Sequence, residues 1–410
     1  MIISDYKFCG GDLMVDRQEY LDDLINFKDK DLIKVVTGIR RCGKSTMFEI
    51  FQNYLRNIGV EDEQIIAVNL EDGDFRHIRT AETLYEYVQS RLAVGRNNYV
   101  FLDEVQQAEN FQKAVDWLYV KKGIDLYITG SNAFLLSGEL ATLLSGRYVE
   151  IKMLPLSFKE YVSAYPGNRN MFELYRNYLS NSSFPGTLEL TRKQDIRAYL
   201  EGIYNTILIK DIAIRKKISD TSMLQSVTEF MFDNIGNMVS STKISNQMTS
   251  FGRKISVPSV EAYLGALAES FIFYKVGRYD IKGKQRLATG SKYYAADIGL
   301  RYFILGTKET DMGHILENIV FLELLRRGYE IYIGKIGSVE VDFIAIGSMG
   351  CEYYQVSQTV AEESTLKREL APLNAIKDHN PKYLLTMDYT PQTSYNGIRQ
   401  INVLDWLLDI

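Results

Sequence analysis

Apolar residues along this 410-residue chain fall into runs whose period changes from one segment to the next. Leu32 to Val36 is a short run rich in β-branched residues, the mark of a buried strand. After the loop GIRRCGKS, the residues Met47, Phe48, Ile50, Phe51 and Leu55 recur at helical spacing. Tyr99 to Leu102 and the segment Asp125 to Asn132 predict two further strands. Beyond Pro155 the pattern turns helical through about residue 217, with few strand-like runs. SMLQSVTEFMFDNIGNM then predicts a helix, SSTKISNQM a second with Ser240 or Ser241 as its N-cap, and VPSVEAYLGALAES a third with Pro258 near its first turn. Two strands follow, FIFYKVGRY and KYYAADIG, joined by DIKGKQRLATGS. The last quarter reads as a helix ending at Gly328, the strands EIYIG, VEVDFIAIG and CEYYQVSQ, a helix, and the strand KYLLTMD.

The loop between the first strand and helix matches G-x-x-x-x-G-K-[ST] from Gly38 to Ser45, in the strand–loop–helix context that the motif requires. Gly38 and Gly43 let the backbone curl so that its N–H groups point inward, and the helix N-terminus adds positive potential. Lys44 is placed to reach the β- and γ-phosphates of a nucleoside triphosphate, and the Ser45 hydroxyl to bind Mg²⁺. Arg41 and Thr46 complete the expected nucleotide-binding set. The strand Tyr99 to Leu102 ends in Asp103 and Glu104. An acid there, beside the phosphate loop, can hold Mg²⁺ through water, and Glu104 can polarise a water for attack as a general base. Ser131 or Asn132, at the end of the third strand, can touch the γ-phosphate or that water. Arg147, after Gly146, can stabilise charge in the transition state, in cis or from a neighbouring subunit.

Composition narrows the setting. The chain is 46% hydrophobic and 24% charged, as ordinary globular proteins are, and no apolar run approaches the roughly 18 residues needed to span a bilayer. The N-terminal segment lacks the basic and apolar regions of a signal peptide, so a cytoplasmic protein is expected. Three scattered cysteines, Cys9, Cys42 and Cys351, form no disulfide framework. The net charge is −5, yet Ser240 to Ala295 carries nine Lys/Arg against three Asp/Glu.

GIRRCGKST, VFLDEVQ, ITGSNAFLLS, SGRYVEIKMLPLSFKEY and YLEGIYNTILIKDIAIR resemble the signature blocks of a widespread family of prokaryotic ATPases. In that family an AAA-like P-loop domain is fused to a C-terminal region of unknown function. The resemblance runs over nearly the whole chain. It implies that ATP and Mg²⁺ are the cofactors, that Asp103 and Glu104 form the hydrolytic pair, that Ser131 or Asn132 is the sensor, and that Arg147 is the arginine of the Gly-Arg-Tyr block. One departure is visible: NSSFPG, Asn181 to Gly186, stands where the family usually shows a glycine pair before Phe-Pro.

The expected class is therefore α/β: a P-loop NTPase core of the AAA type with a parallel sheet over 1–155 and a helical lid over 156–217. Three helices and a hairpin make 218–305 a winged helix. Helix, three strands, helix, strand make 306–410 a restriction-endonuclease-like domain. Lys282, Lys284, Arg286 and Lys292 on the hairpin can contact phosphates, with little sequence specificity because the third helix has no Arg or Lys. A protein partner stays equally open, as does an oligomer. An active nuclease core needs an acid on its first helix, an Asp on its second strand and Glu-x-Lys on its third. Glu317 and Asp342 fill the first two places, but Gln355 and Ser357 stand in the third. Gln355 adds no charge to hold a hard cation, and Ser357 supplies no ammonium, so this nuclease-shaped domain is expected to lack nuclease chemistry.

Overall fold

The structure, a computed structural model, describes residues 7–10, 13–133, 144, 146–167, 169–306, 311–389 and 393–410. A short antiparallel pair, β1 (Lys7–Gly10) with β2 (Leu13–Asp16), precedes helix α1 (Gln18–Phe27). The nucleotide-binding half is then built on five parallel strands: β3 (Ile33–Thr37), β4 (Ile65–Asn69), β5 (Asn98–Asp103), β6 (Ile124–Gly130) and β7 (Tyr148–Lys152). They lie in the order β4-β5-β6-β3-β7. Every residue of β3 and β5 is buried, as expected for central strands covered on both faces.

Alternation divides their side chains between two cores. Ile33, Val35, Val100, Leu102 and Ile128 pack under helices α3 (Ala81–Gln89) and α4 (Phe111–Tyr119). Val36, Phe101 and Tyr127 face the other way, against Phe48 and Phe51 of helix α2 (Lys44–Asn57). The helices that follow β3 and β5 thus cover opposite faces, which opens a crevice at the carboxyl ends of the strands. Ligands bind at such crevices in open α/β sheets.

At the amino end of the sheet one polar contact is buried within this layering. Lys34 on β3 is fully buried, and its ammonium donates to the Lys30 carbonyl at 2.9 Å and to the Asp125 carboxylate. Asp125 also accepts from the Asp29 N–H at 2.8 Å and the Tyr127 hydroxyl at 2.7 Å. Burial pulls the Lys34 ammonium below its ordinary pKa range, and Asp125 works against that shift.

The expected helical segment is present as Phe158–Ser163, Met171–Asn181 and Lys193–Asn205, the last continuing into a π-helical stretch, Thr206–Ile214. Helices Thr221–Asp233, Ser241–Ser250 and Val257–Glu269 follow as the pattern predicts. Ser240 caps the second, accepting from the Lys243 N–H at 3.2 Å, and Pro258 sits in the first turn of the third.

The second sheet departs from the expected division into domains. Its nine strands include the hairpin β9 (Phe273–Asp280) and β10 (Gln285–Ala295), flanked by the short β8 (Met238–Val239). They also include β11 (Glu330–Ile336), β12 (Val339–Gly347), β13 (Gly350–Ser357), β14 (Lys382–Thr386), β15 (Thr393–Tyr395) and β16 (Ile398–Asn402). The order is β15-β16-β14-β13-β12-β11-β9-β10-β8, and β11 pairs in parallel with β9. The sheet therefore runs unbroken across the boundary expected at 305/306. One hydrophobic core likewise extends from Phe48 and Phe51 through Tyr175 and Phe232 to Phe321, Phe343 and Trp406. Among the described residues no helix is long and apolar enough to cross a membrane.

Asp125→Ala leaves a buried ammonium without its counter-charge and should lower stability by about 3 kcal/mol in urea unfolding. Adding Lys34→Met should restore most of that loss; if it does not, the cost lies elsewhere than in the stranded charge.

Candidate functional site

The phosphate loop follows β3. Gly38 adopts φ +153°, and a Cβ there would lie 2.0 Å from the Met153 carbonyl oxygen, so only glycine fits. Gly43 opens α2 in the left-handed region at φ +104°, and no side chain caps that helix. Its first N–H groups are therefore left to an anion. Lys44 is buried, its ammonium held 3.0 Å from the Gly38 carbonyl and 3.3 Å from that of Ile39, curled over the loop.

Opposite it stand the two acids. β5 is not the direct neighbour of β3; β6 lies between them, and its Thr129 organises the pair. The buried Thr129 hydroxyl donates to Asp103 Oδ1 and accepts from the Glu104 N–H at 2.9 Å. Glu104 takes a left-handed conformation, φ +51°, which turns its carboxylate away from the strand line. That carboxylate lies 3.8 Å from the Lys44 ammonium and accepts from the Ser131 hydroxyl at 3.2 Å and from the Gln106 amide. Of the two sensor candidates, Ser131 makes the contact to Glu104, and Asn132 is buried beside it.

A cleft of about 430 Å³ joins these groups, within the size range of small-molecule sites. Arg41, Gly43, Lys44, Ser45, Thr46, Asp103 and Glu104 all line it, as the motif reading requires. Its far wall was not foreseen: Pro185, Gly186, Leu188 and Glu189 from the segment after the helix Met171–Asn181, and Tyr199 from the helix Lys193–Asn205. The departure NSSFPG thus ends in the cleft. Its other end is fixed by Asp297, whose carboxylate accepts from the Ser183 N–H at 2.7 Å and the Ser183 hydroxyl at 2.6 Å. Gly299 packs so closely on Ser182 that a Cβ would sit 2.4 Å from the serine Cβ.

Arg40 is a second contributor that the motif hides among its variable positions. Its guanidinium forks onto Asp211 of the π-helical stretch at 3.0 and 3.1 Å and onto Glu71 after β4 at 3.1 and 3.2 Å. Lys210 joins Glu71 at 3.1 Å. Partial burial pushes the Glu71 carboxyl up, but Arg40 and Lys210 more than offset it and hold it below the usual carboxylate range. Arg215, just beyond the π-helical stretch, keeps its Nη1 buried without a hydrogen-bond partner among the described residues. Burial lowers its pKa against the opposing charges of Asp211, Glu104 and Glu269.

Arg147 stands elsewhere. It precedes β7, its carbonyl accepting from the Ile33 N–H at the start of β3. The five residues of β3, at about 3.3 Å each, separate it from the phosphate loop. There it pairs with Asp116 at 2.9 Å and lies over the Tyr119 ring. A role for it in cis is thereby corrected, because the parallel strands carry the two ends of the sheet apart. The family blocks between Phe134 and Leu143, and Ser145, lie outside the described residues.

In the C-terminal half, Lys282, Lys284 and Arg286 are exposed at the tip of the β9–β10 hairpin, Arg286 paired with Glu330 at 2.7 Å. Lys292 is not with them. It is buried on β10, 2.9 Å from both Glu317 and Glu340, so the expectation of a phosphate contact there is withdrawn. Asp342 accepts from the Val356 N–H at 2.8 Å, and its own N–H meets Gln355 Oε1 at 3.4 Å. Gln355 donates to Glu369 at 2.9 Å, while Ser357 bonds the Thr359 carbonyl at 3.1 Å, outside this group. Burial would raise the Glu317 carboxyl, but Lys292 holds it below the usual range; desolvation and Glu317 push Asp342 well above it. Among the described residues no group of three or more His, Cys, Asp and Glu side chains is arranged to hold a metal ion.

These features define a protein with the AAA-like P-loop ATPase fold. Residues 30–162 match the family described as AAA domain, and residues 172–311 a domain of unknown function (DUF8612). An uncharacterized protein of Haemophilus influenzae is 42% identical over 399 residues, spanning 96% of this chain and 99% of that one. Uncharacterized protein MJ1544 of Methanocaldococcus jannaschii is 30% identical over 371 residues, covering 84% and 79%. The Walker-type ATPase PABY2304 of Pyrococcus abyssi shares the fold with a TM-score of 0.50 at 15% identity, covering 71% of this chain and 95% of that one. The chain belongs to the family of the Haemophilus and Methanocaldococcus proteins.

Arg40→Ala leaves the buried Asp211 uncompensated and should destabilise the protein by about 3 kcal/mol. Arg40→Lys restores the charge but not the fork, so thermal unfolding should show only partial recovery.

Proposed function

We propose that the protein is a Mg²⁺-dependent ATPase that works as a nucleotide switch, its C-terminal half engaging a partner according to the state of the cleft. The observation that carries this reading is the make-up of the cleft wall. One side is the phosphate loop with Asp103 and Glu104; the other is a loop that Asp297 ties to the C-terminal half.

Lys44 and the N–H groups opening α2 hold the triphosphate. Ser45 and Asp103 form an all-oxygen donor set of the kind that Mg²⁺ takes, and they would hold it. Bound there, the ion would neutralise charge on the phosphate oxygens. Glu104, oriented by its backbone bond to Thr129 and by Ser131, takes a proton from the attacking water as general base. Arg215, whose buried Nη1 has no hydrogen-bond partner among the described residues and which feels the charges of Asp211 and Glu104, is the better arginine for transition-state charge in cis; Arg147 is left with a role from a neighbouring subunit. Thr129 and Gln106 are positioning residues.

Helices Thr221–Asp233, Ser241–Ser250 and Val257–Glu269 with the β8–β10–β9 strands follow the order of a winged helix. Helix Met312–Arg326 with β11–β13, helix Glu363–Ala375 and β14 follow that of a restriction-endonuclease-like core. A lysine already balances the acids of that core, which favours a docking module over a nuclease. The exposed hairpin tip supports weakly specific DNA binding as the first partner to test, a protein partner being the alternative.

Lys44→Ala should abolish ATP binding, and Glu104→Gln should retain ATP while slowing turnover by about 10²-fold or more. Arg215→Ala should slow it at least about tenfold. Undiminished hydrolysis in Lys44→Ala would refute the site. Hydrolysis measured with double-stranded DNA decides the partner. Stimulation that weakens in the triple variant Lys282→Ala, Lys284→Ala, Arg286→Ala, with a salt slope reduced by about one unit per contact, supports DNA. An unresponsive rate points to a protein.

A further inference from the structure

The phosphate loop accounts for one wall of the cleft and leaves the other without a task. The lining side chains on the phosphate-loop side are polar, and the far wall adds one acid, Glu189. The apolar surface is confined to Pro185, Leu188 and the ring of Tyr199. A triphosphate anchored at Lys44 and Ser45 extends the remainder of its nucleotide along the cleft, and an aromatic base has a single apolar surface there to rest on. We infer that Tyr199, laid across Gly186, is the platform on which the nucleobase stacks. This rests on the reading of the cleft as an ATP site and adds to it the residue that recognises the base.

Gly186 shows why the ring can lie there. Its backbone is not in the left-handed region, so alanine would cause no strain of its own. Yet a Cβ at that position would meet the Tyr199 hydroxyl oxygen at 2.4 Å and Cζ at 2.8 Å. Glycine is therefore required by the tyrosine, not by the turn. Tyr199 is half-buried, and burial raises its hydroxyl above the usual range against the charge of Arg41 in the phosphate loop. Stacking of a base on an aromatic ring tolerates any base, so the platform supplies affinity for a nucleotide over bare polyphosphate.

Calorimetric titration of the full-length protein with ATP and with inorganic tripolyphosphate, each with Mg²⁺, tests this. Tyr199→Ala should weaken ATP about tenfold or more and leave tripolyphosphate unchanged, while Tyr199→Phe stays close to the native protein. Gly186→Ala should reproduce the selective loss, and in the Tyr199→Ala background it should add nothing, since the two act through one contact. Unchanged ATP affinity in Tyr199→Ala, or equal losses for both molecules, would overturn the platform. Lys44→Ala separates the two readings, because it should remove binding of both molecules. If both still bind there, or neither binds the native protein, the phosphate site itself has been misassigned and the platform falls with it.

Discussion

Arg40 holds the two halves of this molecule to one another at the point where chemistry is expected. Its planar fork engages Asp211 with two parallel hydrogen bonds and Glu71 with two more. Bidentate pairs of this kind add geometric specificity to charge, which an ammonium cannot do. Both Arg40 and Asp211 are almost wholly buried, so neither can be released to water cheaply. The phosphate loop therefore cannot shift without moving the π-helical stretch. Such stretches interrupt regular helix hydrogen bonding and occur often at functional sites.

A second tie runs in parallel. Ser182 and Ser183 are locked to Asp297 and Gly299, at the start of the helix Ile298–Leu305, while Pro185 and Gly186, two to four residues on, face the cleft. The buried core that connects Phe48 to Trp406 makes both ties stiff, because packed interiors transmit small displacements rather than absorb them. Whatever changes the spacing of the cleft walls has two short routes into the nine-stranded sheet.

That sheet also sets a cation among the C-terminal acids. The parallel pairing of β11 with β9 brings the hairpin against the helix Met312–Arg326, and Lys292 enters between Glu317 and Glu340. The same pairing removes Lys292 from the basic surface and supplies a cation to the acidic group. Its ammonium satisfies the charge that a metal would otherwise have to balance.

The sequence determined what depends on neighbours in the chain. Phosphate-loop glycines, the strand that ends in Asp103 and Glu104, the cap at Ser240, the first-turn proline Pro258, and the apolar periods of the main helices are all written within a turn or a strand of where they act. Parity along β13 likewise separated Gln355 from Glu352, which instead accepts hydrogen bonds from the hydroxyls of Tyr329 and Tyr354. What only the tertiary structure decided involves residues far apart in the chain. Arg40 meets Asp211 171 positions away. Lys292 turns inward because β9 pairs with β11, and Arg147 sits at the wrong end of the sheet because every strand runs the same way. Hydrophobic period reports which face of an element is buried; it carries no record of which other element will cover that face, and it is there that the partners of Arg40, Lys292 and Tyr199 are chosen.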